Sequence, residues 1–454
     1  MRKSDLEQRM ELLKHRFAAS PDLIDQKVNQ DEKEIRLLYL DSLCDEIKIK
    51  KDIIDQLYDS KGMAEFEMYI SMLPGSMTFQ SFEKAVQFVL TGHVAILCFD
   101  ILYFLDVKID MAAQPQPTTI ENTILGPKTA LSEDVKISLA QVRKRYLSAS
   151  LKIENQTAGT ISKTAIYLVY DEELVDPEVL KQVKEKIAGI NEEVVQSAGQ
   201  LEQLINSKKK MLFPTMLMTE RPDRVAFNLA EGKIAMLIDG TGFALVVPSV
   251  FYDFFSAVED LYLPFWVSNF LVVIRYFGLA IALLVPAIYV SVASYNPEVF
   301  RVQLSLSIAG SRAAVPYPSF IEVLFMLGMM ELLTEASLRL PKVIGSTATT
   351  VGGLILGQAA QQAGLVSSIM IIVVAAVAIS NFVIPINTMG LSIRVAKYLL
   401  LLFSSIFGII GVVGAFVALV IHLCSLRSFG KPYFKLFIGE PGDRPVRHKA
   451  RTIS

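Results

Sequence analysis

The residues of this 454-residue chain that could do chemistry are few and scattered. His15, His93, His422 and His448 stand alone, with no spacing that brings two imidazoles to one metal ion. Cys44, Cys98 and Cys424 form no C-x-x-C pair, and three inert thiols in a reducing compartment is the simplest reading. Asp239-Gly240-Thr241-Gly242 holds a lone G-x-G, but the run Phe243 to Val247 after it reads as a strand. A dinucleotide site would need a helix N-terminus there for the pyrophosphate. Gly126-Pro127-Lys128 reads as a turn that could bind an anion, or more simply as a plain surface turn, and no Walker motif or nucleophile elbow occurs. The expectation is a protein that is not an enzyme, with no catalytic residue, cofactor or metal.

Charge placed inside apolar sequence is the stronger signal. Arg275 interrupts the run Phe265–Val290, where a charge must face protein or water rather than lipid. It is expected to pair with Glu331 or Glu335, or to act as a switch or ion-path residue. Glu331 and Glu335 share a helix face at i, i+4, and Glu335 can pair with Arg339 at the same spacing. With Glu322 they read either as a salt-bridged helix edge or as carboxylates of a vestibule that concentrates cations. Small and polar residues dominate 345–364. That segment suits close helix packing. It suits a pore lining equally well, with Thr347, Thr350 and Gln358 wetted and Val351, Leu354 and Ile355 as an apolar gate.

The elements that must position these residues follow from composition. Hydrophobic residues make up 52% and charged residues 20%, with 44 Lys and Arg against 46 Asp and Glu. The near-neutral balance argues against a nucleic-acid partner. The halves differ: Phe265–Ser454 holds 6 acids and 14 bases, leaving 40 acids and 30 bases in residues 1–264. An acidic, polar part thus precedes a basic, apolar one. The charged beginning, Met1 to Asp31, does not read as a secretory signal. The expected fold is an α/β cytoplasmic N-terminal region of two subdomains, followed by an α-helical multi-span membrane domain.

Five segments are expected. Residues 1–35 form a charged helix or arm, 36–119 a first α/β subdomain, 120–263 a second, 264–426 the transmembrane domain and 427–454 a basic cytoplasmic tail. Residues 36–60 read as a helix, and 81–91 as another that ends at Gly92. His93–Phe99 and Thr164–Tyr170 read as strands, Pro177–Ile187 and about 192–206 as helices, and Lys233–Val247 as a hairpin. Gly92-His93-Val94-Ala95-Ile96-Leu97 echoes Gly232-Lys233-Ile234-Ala235-Met236-Leu237, each after a helix. Four spans are read at Phe265–Val290, Phe320–Leu338, Gly364–Ile386 and Tyr398–Leu426, running alternately out and in from a basic cytoplasmic side. Gly345–Ala363 is a half-helix, a re-entrant segment or a fifth span.

One stretch is specific: Leu212-Phe213-Pro214, then Thr219-Glu220-Arg221-Pro222-Asp223-Arg224-Val225-Ala226, Leu229-Ala230-Glu231-Gly232-Lys233, and Ile238-Asp239-Gly240-Thr241. With Leu284-Val285-Pro286, Val315-Pro316-Tyr317-Pro318 and Gly357-Gln358-Ala359-Ala360, it resembles the GerA family of spore germination proteins over roughly residues 120–425. Departures include Lys128 in the turn, Ser138, Val142-Arg143-Lys144-Arg145 and Gly242. The resemblance implies a membrane subunit of a nutrient germinant receptor in the inner membrane of the endospore. It also implies a homo-oligomer, a pentamer, that forms a nutrient-gated monovalent cation channel. A transporter-like B subunit and a lipoprotein C subunit are the implied partners. The alternative is an accessory channel resembling stage V sporulation protein AF, which amplifies germination without sensing nutrient.

Overall fold

The computed structural model describes residues 3–17, 20–30, 33–99, 101–109, 116–206, 211–299, 301–340, 352–353 and 355–434. Two five-stranded antiparallel sheets form the first part. Helices α1 (Lys3–Phe17), α2 (Glu46–Ile49), α3 (Asp55–Asp59), α4 (Met63–Met72) and α5 (Phe82–Leu90) surround strands β1 (Leu23–Gln30), β2 (Lys33–Leu40), β3 (Met77–Thr78), β4 (His93–Cys98) and β5 (Ile101–Asp106). Helices α6 (Val135–Arg145), α7 (Pro177–Ala188), α8 (Ala198–Ile205) and α9 (Pro222–Ala230) surround β6 (Leu151–Ala158), β7 (Thr164–Asp171), β8 (Leu217–Thr219), β9 (Ile234–Ile238) and β10 (Ala244–Val247).

The strand orders are β1-β2-β4-β5-β3 and β6-β7-β9-β10-β8. Element for element, the second sheet repeats the first. In each unit a helix leads into a hairpin, then come helices, a short edge strand, a helix, and two adjacent strands. The six-residue echo falls on the same place in both, since Gly92 and Gly232 turn α5 into β4 and α9 into β9 at φ +85° and +80°. An added Cβ on Gly232 would lie 2.5 Å from the Leu174 carbonyl, so only glycine fits.

Both faces of each sheet are covered. Leu6, Met10, Leu13 and Phe17 of α1 pack with Leu38, Leu97 and Phe104, while Ile53, Leu57, Phe66 and Ile70 cover Ile35, Leu37 and Ile96 on the other side. Central strands therefore read as unbroken apolar runs, and every residue of β4 and β9 is buried. The helix expected over 36–60 begins only at Glu46. Residues 33–40 are strand β2, paired in full register with β1 and on its other side with β4. Of the two readings of 1–35, the helix holds over Lys3–Phe17, whose Leu6, Met10, Leu13 and Phe17 face the core, while Leu23–Gln30 is strand β1 of the first sheet rather than an arm. The polar composition of β1 reflects its edge position, where Gln26, Lys27 and Asn29 are exposed to water.

Helices α10 (Phe265–Ser294), α11 (Val302–Arg312), α12 (Ser319–Arg339), α13 (Ser368–Val383) and α14 (Asn387–Ser425) form the second part, with 355–362 also helical. Among the described residues, α10 and α14 are long and apolar enough to cross a membrane. However, α14 is not one straight rod. Gly408 sits at φ +59°, ψ −140°, and the Phe403 carbonyl occupies the place a Cβ on Gly411 would take. Eight residues of straight helix would part those positions by about 12 Å, so the chain turns sharply at Gly408.

Contacts along α10 give the directions. Its start is at the α/β part, where Arg275 reaches the Phe255 carbonyl. Ser404 bonds the Ala287 carbonyl, and Tyr295 packs on Gly408 and donates to the Ser405 carbonyl. The chain then returns, so that His422 meets Phe213 of the second unit with ring centroids 6.3 Å apart. Residues 387–407 thus run away from the α/β part and 409–425 run back. The expected single span Tyr398–Leu426 is corrected to two antiparallel segments. Likewise α13 runs toward the α/β part, from Ser367 beside Tyr289 to Val383 beside Gly278, opposite to the outward direction expected for Gly364–Ile386.

Candidate functional site

Thr219, Glu220, Arg221, Pro222, Asp223 and Arg224 end β8 and open α9, with Pro222 at the first turn, where its missing N–H costs nothing. Their side chains diverge to hold two different segments. On one side is the linker between the two α/β units. The Glu220 carboxylate accepts the backbone N–H groups of Thr119, Ile120 and Glu121 at 2.8, 2.7 and 2.8 Å. The Arg221 guanidinium, fully buried, forks onto Asp223 at 3.0 and 2.6 Å and donates to the Glu121 carbonyl and Thr123 hydroxyl.

On the other side is the segment 251–262 that leads into α10. Arg224 donates to the carbonyls of Asp253 and Ser256 at 2.9 and 3.0 Å and pairs with Glu121 at 2.9 Å. Tyr262 donates to Asp223 at 2.9 Å, and burial together with that carboxylate pushes its phenol up to about 12. Lys233 binds Asp253 at 2.9 Å and Glu231 at 3.2 Å. Burial alone would lower the Lys233 pKa, but the two carboxylates outweigh it and raise it. The chain of contacts ends on α10, where Arg275 forks onto Asp260.

Arg275 therefore does not pair with Glu331 or Glu335. Its partner lies in the turn just before its own helix, closer than any residue of α12. Glu331 instead binds Arg394 and, at 2.9 Å, the buried Lys397 of α14. Glu335 pairs with Arg339 at 2.9 Å at the i, i+4 spacing, as its sequence position implies, and both are exposed. Glu322 is buried, accepts the Ser367 N–H at 2.6 Å and faces Arg312 at 3.4 Å. Among the gate and lining candidates, Ile355 and Gln358 are exposed on this chain, while Thr347, Thr350, Val351 and Leu354 lie outside the described residues. Asp239 and Gly240 make the exposed β9–β10 turn, with Gly240 at φ +81°.

Two further connections were not visible in the sequence. Arg143 of α6, fully buried, reaches Asp22 of the first unit at 2.8 Å and so ties the two units together. After α14 the chain docks on the second unit. Ser428 donates to the Thr215 carbonyl at 2.7 Å and accepts from the Ser249 N–H, the Phe251 N–H donates to the Tyr433 carbonyl at 2.8 Å, and Lys431 pairs with Asp176. This constellation holds no activated nucleophile. It is a mechanical junction in which one short motif fixes the inter-unit linker and the root of the first long helix.

Comparison with known proteins agrees with the motif. The Bacillus/Clostridium GerA spore germination protein family matches residues 11–444. Spore germination protein KA of Bacillus subtilis (strain 168) is 32% identical over 92% of this chain and 79% of its own length. Spore germination protein GerLA of Bacillus cereus is 36% identical over 78% of this chain and 72% of its own. A crystal structure of the N-terminal domain of the A subunit of the Bacillus megaterium spore germinant receptor GerK3 aligns with 54% of this chain and 95% of its own at a TM-score of 0.40 and 22% identity. The chain belongs to the GerA family of spore germination proteins. Within it, several of its similar relatives are A-type germination proteins.

Proposed function

We propose that this chain is a membrane subunit of a spore germinant receptor, anchored in the inner spore membrane, that assembles with copies of itself into a nutrient-gated monovalent cation channel. The observation that carries this reading is the apolar helical part, in which α10 and residues 387–407 run away from the α/β part while α13 and residues 409–425 run back toward it. The last helix ends beside the α/β part, on the side where α10 begins, and the basic residues after Leu426 favour a cytoplasmic location for that side. On this reading 264–426 is the membrane domain, and 1–263 with the tail 427–454 is cytoplasmic. A transporter-like B subunit and a lipoprotein C subunit complete the receptor.

In the channel, Thr347, Thr350, Gln358 and the aliphatic Val351, Leu354 and Ile355 line the path, and Glu335 gives the vestibule its cation preference. Glu322 and Glu331 are already matched by bases. The test is potassium release from spores lacking only this protein, after a panel of nutrients. Loss of the response to one nutrient class supports the receptor reading, and unchanged release to every nutrient sinks it. Replacing Val351 or Leu354 by serine should change the release rate at normal protein level.

A further inference from the structure

Ile124 and Leu125 are 82% and 63% exposed at the tip of the inter-unit linker. The tip cannot fold back on itself, because Glu220 and Arg221 hold residues 119–123 in place. It lies against the root of α10: the Ile124 N–H donates to Glu259 at 3.2 Å, and Tyr262 Cε2 lies 2.9 Å from where a Cβ on Gly126 would sit. Phe265 and Trp266, at the start of α10, are themselves 71% and 82% exposed, and Leu261 beside them is exposed too. Large apolar side chains thus crowd the point where α10 leaves the α/β part, with the exposed Lys128 next to them. Aromatic and aliphatic groups bordered by a cation match a bilayer interface in composition.

We propose that the Ile124–Leu125 tip inserts into the same leaflet from which α10 emerges, as a second membrane contact of the second α/β unit. The occupant is lipid because the patch is continuous with the aromatic residues at the root of α10. The inference rests on the reading of α10 as a membrane span. It makes the clamped linker a point where the state of the membrane surface reaches the Glu220–Arg224 motif.

Trp266 is the only tryptophan, which gives the test its control. The full chain is reconstituted in phosphatidylcholine–phosphatidylglycerol vesicles whose acyl chains are brominated near the headgroup. Native protein reports the root of α10, and I124W in a W266F background reports the loop, with L125W/W266F as the second probe. The expected result is that both loop probes lose emission in brominated vesicles to about the extent that native Trp266 does. If Trp266 is quenched while the loop probes stay open to aqueous iodide, the insertion is wrong and the span stands. Loop probes shielded from both quenchers would mark a protein interface and likewise overturn it. An unquenched Trp266 would instead remove the span, and the insertion with it.

Discussion

The Arg275 guanidinium lies across the Asp260 carboxylate, with Nη2 2.8 Å from Oδ1 and the two residues fifteen positions apart in sequence. The pair is nearly buried on both sides. It fastens the first long helix to the turn that the Glu220–Arg224 motif already holds. Breaking a buried pair leaves one charge uncompensated, so Arg275→Ala should destabilise the protein by about 3–5 kcal/mol. Arg275→Lys keeps the charge and loses the fork, and should fall between the two. Thermal unfolding of the three proteins in detergent orders them. Equal midpoints would mean that the pair fixes nothing.

Glu220→Gln removes the charge from a carboxylate that accepts three adjacent backbone N–H groups. A cost of about 1.5–3 kcal/mol is expected for hydrogen bonds to a charged group. The effect should be local. Limited proteolysis should cut within 119–126 faster than in the native protein while the rest of the second unit resists. Unaltered cleavage would refute the clamp.

The turn at Gly408 is outside the range of an L side chain, and Gly408→Ala should cost about 1–3 kcal/mol. It also fixes where the neighbouring residues lie. With Cys424 replaced by serine, I410C should react with an impermeant maleimide from the side opposite the α/β part. In the native protein, Cys424 should react from the α/β side. A straight span would bury position 410 in the bilayer and leave it unlabelled from both.

Glu202 of α8 is held at about 7 by burial, against an ordinary 4.5. The folded state therefore binds this proton more tightly than the unfolded chain. Its penalty on stability is absent below pH 4.5, grows as pH rises and is complete above 7. The full penalty is about 3 kcal/mol at 1.36 kcal/mol per unit. Glu202→Gln should match the native protein at pH 4.5 and exceed it at pH 8. Parallel stability curves across that range would show that Glu202 is ionised freely in the fold.

Legibility in the sequence followed burial. The strands His93–Cys98 and Thr164–Asp171, and the hairpin from Ile234 to Val247, are buried on both faces, so their apolar runs are plain. Edge strands β1 and β6 spend side chains on water, and Leu151–Ala158 has no period that marks it as a strand. The run Leu37-Leu38-Tyr39-Leu40 suits a helix as well as a strand, and pairing with β1 and β4 decides it. The 219–224 motif was visible as residues, but its role was not, since Thr119–Thr123 and Asp253–Tyr262 meet it from far along the chain. Gly408 was hidden because glycines also stand at 411 and 414 in the same apolar run, and nothing in composition says which of them turns.

The stretch Arg427–Tyr433 means that the helical part is anchored at both ends to one small sheet. Its first helix is rooted through Asp260 and Arg224, and its last returns to Thr215, Ser249 and Phe251. A lever held at one end transmits a pull; a hoop closed on a single hub can only twist as a whole. A small rotation of the second unit therefore moves the roots of the first and last helices together.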